Sequence, residues 1–361
     1  MDVPRMRFHW TLSSVGDRMR GAKAQTALSG APDPETHVAF CREAERCGID
    51  AMLMAFRFHR PDPFVWSAAL GMRTESLRFL VAIRSGMSSP TYFVQQVNTL
   101  SEVTDGRVCI NIVTGRAPVE LQYYGDFLDH DARYERTNEF WEVCHALWRN
   151  EGPVDFAGKH YQIEGAQLSR PFAGGDRTRP EVFLGGGSEQ AAELAIRHAD
   201  CLLTLPDATD RLASRIRPVV DSGTEVGLMV TMIAKRTREE AVGAAEALVE
   251  PAGRSAREVH TEARSKTDSI GFGSVYASAQ DEAQWLSPTL WTGAVPYFGP
   301  PAIALVGSAE DLVDAIFAYR EIGISQYLFT GHPDHEQMVF FGDEILPRVR
   351  EREDALNRQD P

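Results

Sequence analysis

The chain has 361 residues, 43% of them hydrophobic, enough to bury a large core in one large or two ordinary domains. Its 37 basic and 51 acidic residues leave a net charge of −14, which argues against nucleic acid or an anionic membrane as the main partner. Five cysteines without a C-x-x-C pair, no secretory signal and no membrane-length apolar run argue against a disulfide framework, a metal site and secretion, and make a reducing cytoplasm the expected location.

Short apolar runs alternate with helical patterns along the chain. A strand near 6–12 (MRFHWTL) comes first, then a helix over 35–47 that Gly48 stops. Strands follow near 51–56 (AMLMAF) and 78–83 (RFLVAI), then a helix over 90–104 that starts at Pro90. A strand near 107–113 (RVCINIV) precedes a helix over 134–149, whose stripe carries Tyr134, Phe140, Trp141, Cys144, Leu147 and Trp148. Strands near 181–184, 200–205 and 225–234 alternate with helices over 188–198, 207–219 and 237–249. A helix over 309–322, a strand near 325–330 and a helix over 335–350 end the pattern. Eight strands alternating with helices predict a parallel sheet with crossover helices, and a closed (β/α)8 TIM barrel of mixed α/β class fits the count. A doubly wound open sheet is the alternative. It is weakened because TLSSVGDRMRG, after the first strand, lacks G-x-G-x-x-G. No linker divides residues 1–361, so one domain is expected. Insertions are expected near 115–133 and 151–180, the second with a small hairpin around Asp155 to Gln162. The polar stretch 251–300 reads as a mobile lid over a barrel site, or as a surface excursion serving oligomer contacts.

Three local patterns carry chemistry. Gly185, Gly186, Gly187 and Ser188 follow an apolar strand and open a helix, where backbone N–H groups attract phosphate; the same residues also suit a tight turn capped by Ser188. Asn111 and Thr114 stand at and beyond the end of a strand, the rim where barrels place chemistry. An asparagine there offers donor and acceptor to a heterocycle edge. Tyr134 and Arg136 begin the helix after the acidic loop, where a salt bridge of Arg136 with Asp131 or Glu135 is the competing role.

Together these segments resemble the bacterial-luciferase-like flavin-dependent monooxygenases, most of all the alkanesulfonate monooxygenase branch. The resemblance spans nearly the whole chain. It rests on FLVAIRSGMSSPTYFVQQVNTL (79–100), GRVCINIVTG (106–115), FLDHDARYERTNEF (127–140), VFLGGGS (182–188), SPTLWTG (287–293), ALVGS (304–308) and YLFTGHPDHEQ (327–337). It implies a luciferase-like barrel that binds reduced FMN (FMNH2), supplied by a separate NAD(P)H-dependent flavin reductase, and uses O2 as co-substrate to oxygenate a small organic substrate. Homodimers or homotetramers are implied as well. Carried over, Asn111 and Thr114 touch the isoalloxazine, while Tyr134, Gly186, Gly187 and Ser188 surround the phosphate. Arg84 and Ser85 lie beside the flavin, where relatives often have a cis non-proline peptide.

Departures from that branch bear on the substrate. Met229 and Thr231 stand where it carries Arg and His, Phe298 where its lid carries an Arg, Arg60 in place of an active-site Cys, and Val15 in place of a His. His332-Pro333-Asp334 stands where the branch reads Tyr-Pro-His. A sulfonate requires charge-assisted hydrogen bonds, so a pocket of Met54, Phe56, Met229, Thr231, Tyr297 and Phe298 points to a more apolar molecule than an alkanesulfonate. Rim polar groups are His9, Arg57, His59, Arg60, Arg84 and His332. Among them His332 leads as the catalytic candidate, followed by Arg60 as an anion anchor, with His59 beside them. Two other functions fit the same residues: hydride transfer with deazaflavin F420, and a non-catalytic flavin-binding protein.

Overall fold

A computed structural model describes residues 5–12, 34–58, 60–115, 118–250, 267, 269–280, 284–331 and 334–359. Its strands are β1 (Arg7–Thr11), β2 (Ala51–Met54), β3 (Arg78–Ile83), β4 (Val108–Ile112), the hairpin β5 (Val154–Ala157) and β6 (Gln162–Ala166), β7 (Glu181–Gly185), β8 (Cys201–Thr204), β9 (Glu225–Ala234), β10 (Leu290–Trp291), β11 (Ala304–Gly307) and β12 (Ile324–Gly331). Eight of them, β1, β2, β3, β4, β7, β8, β9 and β12, pair in parallel, and the contacts of β9 with both β8 and β12 close the ring. The expected TIM barrel is therefore present, and the open-sheet alternative is excluded.

Helices connect these strands, most of them packed outside the ring. They are α1 (Pro34–Arg46), α2 (Pro63–Gly71), α3 (Pro90–Val103), α4 (Pro118–Tyr123), α5 (His130–Arg149), α6 (Glu189–His198), α7 (Thr209–Asp221), α8 (Arg238–Val249), α9 (Ile270–Ser278), α10 (Val295–Phe298), α11 (Ala309–Glu321), α12 (Asp334–Phe340) and α13 (Leu346–Gln359). Capping explains several starts: Asp129 accepts from Ala132 N at α5, and Thr237 and Ser308 form reciprocal capping boxes at α8 and α11. Asn150 in the left-handed region, φ 53°, ends α5.

Alternation along the strands sorts side chains between two cores. Phe8, Trp10, Tyr327 and Phe329 point outward into the shell of helices. Ala51, Leu53, Leu80, Ala82, Cys109, Phe183, Cys201, Leu203 and Leu328 fill the ring. Where the strands begin, Arg7 Nη1 lies 2.5 Å from Glu181 Oε1, and Arg7 Nη2 lies 3.0 Å from Glu225. Arg78 Nη1 is 2.7 Å from Glu181 Oε2, in ion-pair contact but off the line a hydrogen bond requires. This cluster closes the amino-terminal end of the barrel.

The four-residue β8 covers Glu225–Leu228 of the ten-residue β9, and β11 pairs with the remaining edge, Thr231–Ala234. The antiparallel β10 caps β11. So residues 284–300, within the stretch read as a lid, are largely folded into the structure: Leu290, Trp291 and Val295 are buried. Residues 251–266 of that stretch lie outside the described residues. No helix among the described residues is long and apolar enough to cross a membrane, and no group of three metal-ligating side chains is found among them.

Candidate active site

The loops after β3, β4 and β7 converge at the carboxyl end of the barrel. Asn111, the fourth residue of β4, points inward by the strand's alternation and is 6% exposed, and its Oδ1 is buried with no hydrogen-bond partner among the described residues. Gly185 of β7 faces it: a Cβ placed on that glycine would sit 3.7 Å from Asn111 Oδ1. Arg84, just past β3, is also buried. Its Nη2 donates to Glu120 Oε2 at 2.7 Å, while Nε and Nη1 have no partner among the described residues. The guanidinium carbon lies 5.1 Å from the Phe56 ring and 5.9 Å from the Tyr124 ring. Burial pushes the Glu120 carboxyl up, but hydrogen bonds from Arg84 and the Phe58 N–H outweigh it and hold the group below the ordinary glutamate value. Arg84 thus keeps a fixed carboxylate on one side and bare N–H groups on the other.

The turn from β7 into α6 uses its glycines differently from one another. Gly186 donates its N–H to Leu203 O at 3.0 Å, and a Cβ there would lie 2.4 Å from Ala191 Cβ, so this residue serves the turn's own packing and its N–H is not free for an anion. Gly187 meets Gly271 of α9: a Cβ on Gly187 would sit 3.0 Å from Gly271 Cα. The segment from Gly185 to Ser188 is only half-buried. Ser188 caps α6, its Oγ accepting from Ala191 N at 3.1 Å, and lies 3.3 Å from the Tyr134 hydroxyl. That contact joins the starts of α5 and α6 across 54 residues of sequence.

Two predicted contributors have their side chains committed elsewhere. Ser85 Oγ pairs with Thr137 Oγ1 at 2.8 Å, and its carbonyl accepts from the Tyr161 hydroxyl at 2.7 Å. Arg136 pairs with Asp126 through two contacts, 2.6 and 3.2 Å, and not with Asp131 or Glu135. Gly86 lies flat against that guanidinium, since a Cβ there would come within 2.5 Å of it. Sequence reasoning missed Arg133, which is buried and donates to Thr114 O at 3.1 Å and Leu128 O at 2.9 Å, fixing the loop after β4. The signal was its spacing, four residues before Thr137 and seven before Phe140, both buried on the same stripe of α5.

The proposed pocket side chains divide into groups. Phe56, just past β2, and Met229, in the middle of β9 and level with Leu328, pack against the barrel's inner cluster. Met54 belongs to the outer core and, with Leu12, His37, Arg60 and Trp66, lines a small cleft at the ends of β1 and β2. Arg60 donates to Leu12 O at 3.3 Å. Thr231 is buried, its hydroxyl 2.8 Å from both Thr330 Oγ1 and Pro301 O. Phe298 packs against the cluster that includes Ile233, Trp291, Ala302 and Val306, and Tyr297 stays half-buried beside it. Arg57 is exposed. His9 sits inside the barrel, fully buried, and not on the rim. His59, His332 and Val15 lie outside the described residues.

Solved structures with this fold carry different chemistry. EDTA monooxygenase (EmoA) from Chelativorans sp. BNC1 is 20% identical, with 97% of this chain and 94% of that chain covered and a TM-score of 0.76. The oxygenating constituent of 3,6-diketocamphane monooxygenase from the CAM plasmid of Pseudomonas putida, a type II Baeyer–Villiger enzyme in complex with FMN, is 17% identical over 96% and 99% of the two chains, TM-score 0.69. An F420-dependent secondary alcohol dehydrogenase in complex with an F420–acetone adduct is 17% identical over 96% and 100%, TM-score 0.67. At these identities the likeness is one of fold. The family model described as luciferase-like monooxygenase matches residues 6–326, and the chain belongs to that family.

Proposed function

We propose that the chain is the oxygenating component of a two-component flavin monooxygenase that uses reduced FMN and O2 on a small organic substrate. The observation that carries this reading is the orphaned Asn111 Oδ1 on the inner wall at the carboxyl end. A buried amide oxygen without a partner is costly unless a ligand donor meets it. The surrounding residues fit FMN. The start of α6, with Ser188 and the Tyr134 hydroxyl, suits the phosphate, and Gly187 stays in the proposed phosphate turn although its own close approach is to Gly271 of α9. Thr114, held through its carbonyl by Arg133, and Asn111 border the ring system, with the backbone of the Arg84–Ser85 segment beside it.

Reduced FMN supplies the electrons that activate O2. The chain supplies position and electrostatics: the bare N–H groups of Arg84 offset negative charge on the reduced ring, and Glu120 holds that arginine in place. Leu80, Phe183, Leu328 and Met229 below, with Phe56 at the mouth, keep water from the reacting centre. Phe56 and Met229 support a substrate more apolar than an alkanesulfonate. His332, Arg60 and His59 remain the proposed catalytic side chains, Arg60 as an anion anchor at the edge of β1 and β2. A separate NAD(P)H-dependent reductase, a homodimer or homotetramer and a cytoplasmic location belong to the same proposal.

Likeness of fold to an F420-dependent dehydrogenase supports a second reading, hydride transfer with F420. Titration with FMN and F420, followed by flavin fluorescence quenching, separates the two. Photoreduced FMN and O2 with a substrate library, read by mass spectrometry for products heavier by one oxygen, tests the reaction. Tight F420 binding with no FMN binding, or no oxygenated product beside demonstrable FMN binding, would overturn the first reading.

A further inference from the structure

We propose that His9 is a ligand-contacting hydrogen-bond acceptor in the floor of the barrel mouth, its bare ring nitrogen set to receive the imide N–H of the flavin ring. The inference rests on the flavin reading for the identity of the donor, and on the barrel interior for everything else.

The chain of contacts starts at the closed end. Arg7 holds Glu225 through both carboxylate oxygens at 3.0 Å. Glu225 Oε2 accepts from Gln326 Nε2 at 2.6 Å. An ionised carboxylate only accepts, so the amide must turn its NH2 group to Glu225 and its oxygen the other way. That oxygen lies 2.7 Å from His9 Nε2. An amide oxygen also only accepts, so the hydrogen of the neutral imidazole is on Nε2 and Nδ1 is left as a lone-pair acceptor. Burial favours the neutral ring by lowering its pKa.

Register then gives direction. Gln326 is level with Arg7, whereas His9 is level with Leu328, so Nε2 reaches toward the closed end. The two nitrogens of an imidazole point in nearly opposite directions, so Nδ1 faces the mouth. It is buried and has no partner among the described residues. Thr11, the next inward residue of β1 and roughly 7 Å further along the strand, also has a buried hydroxyl without a partner among them. Phe183 stands edge-on to the imidazole across the barrel, ring centroids 5.5 Å apart, and fixes its plane. A lone-pair acceptor needs a ligand atom that carries hydrogen, and the imide nitrogen N3 of the isoalloxazine carries one in both the oxidised and the reduced ring, whereas N5–H is present only after reduction.

Two substitutions test the two ends of the ring separately. His9→Gln places a donor where Nε2 was and removes the acceptor. His9→Asn keeps an acceptor near Nδ1 and loses the bond to Gln326. FMN affinity by fluorescence quenching is expected to fall roughly fivefold to tenfold in His9→Gln with the urea midpoint little changed. In His9→Asn the affinity holds and the midpoint falls. Riboflavin methylated at N3 is expected to bind wild type and His9→Gln equally. FMN binding that is indifferent to His9→Gln, or an N3-methyl flavin that still distinguishes the two proteins, overturns the inference while leaving the flavin reading intact. Failure of wild type to bind FMN overturns both.

Discussion

Replacing Glu181 by glutamine is expected to destabilise the fold by about 3 kcal/mol. Glu181 is 1% exposed and faces Arg7 and Arg78, whose side chains are 25% and 26% exposed. The amide preserves volume but leaves two guanidinium groups with Glu225 as the nearby counter-charge of Arg7. Removing one partner of a buried ion pair costs about 3–5 kcal/mol, and the partial exposure of both arginines places this case at the lower end. Unfolding entropy of about 2.1 cal/mol/K per residue gives roughly 0.76 kcal/mol/K over the chain, so the loss corresponds to a Tm shift of about 4 °C. Burial pushes the Glu181 carboxyl up, yet Arg78 and Arg7 outweigh it and hold the folded-state value below the ordinary one. The unfolded chain therefore takes up the proton first on acidification. The stabilisation is present above the ordinary glutamate pKa and is lost as pH falls through the depressed folded value. Urea unfolding followed by tryptophan fluorescence at pH 7 and at stepwise lower pH measures both effects. Glu35→Gln is the control, since its carboxylate is 73% exposed in the pair with Arg73, and about 0.5 kcal/mol or less is expected there. A Glu181→Gln loss no larger than the control's, or a wild-type advantage that does not shrink in acid, would refute the account of the closed end.

Asn111→Leu is expected to raise the urea midpoint, because it removes an unpaired buried oxygen worth about 1–3 kcal/mol, while abolishing measurable FMN binding; a destabilised variant that still binds FMN contradicts the proposed role. Tyr134→Phe removes one hydroxyl from the α5–α6 junction, so FMN affinity should drop about fivefold and riboflavin affinity should not, as isothermal titration would reveal. Gly86→Ala drives a methyl into the Arg136 guanidinium, which Asp126 clamps, and a loss on the order of 2–4 kcal/mol is expected in thermal unfolding. His145 and His198 stack at 5.5 Å, and burial first of all lowers them to about 4 and about 3. The unfolded chain binds protons first, so stability should fall as pH drops from about 6.5 toward 4, by on the order of 3 kcal/mol for each histidine; His145→Phe should flatten that slope in urea titrations.

Much of the barrel was legible because each wall strand announces itself locally. RFLVAI, RVCINIV and EVGLMVTMIA are long enough in apolar residues, and turn or helix signals bound them on both sides. Strand β11 was missed because ALVG is four apolar residues whose pairing depends on the free edge of a long β9. Helix α2, PFVWSAALG, was missed because it is apolar on nearly every face and shows no stripe; its Asp62 cap and Pro63 start were the available signals. Within the site, the turn at Ser188 and the start of α5 were legible as motifs. What each group does with its hydrogen bonds was not. Ser85 is answered by Thr137, Thr231 by Thr330 and Gly186 by Leu203, and those partners lie too far along the chain for local pattern to reveal them.

Satisfaction of polar groups, more than their presence, then separates structure from function in this barrel. Alternation puts inward polar residues at both ends of the same strands. At the amino-terminal end Arg7, Arg78, Glu181 and Glu225 compensate one another's charge, and their removal is predicted to read out in stability. At the carboxyl end Asn111 Oδ1, Arg84 Nε and Nη1 and Thr11 Oγ1, and deeper in the barrel His9 Nδ1, are buried without partners among the described residues, while at the closed end Glu181 Oε2 is met by the charge of Arg78 alone. Each such atom costs free energy in the absence of a ligand. A planar molecule with donors and acceptors on its edge and negative charge when reduced would answer such groups. A purely apolar ligand would answer none.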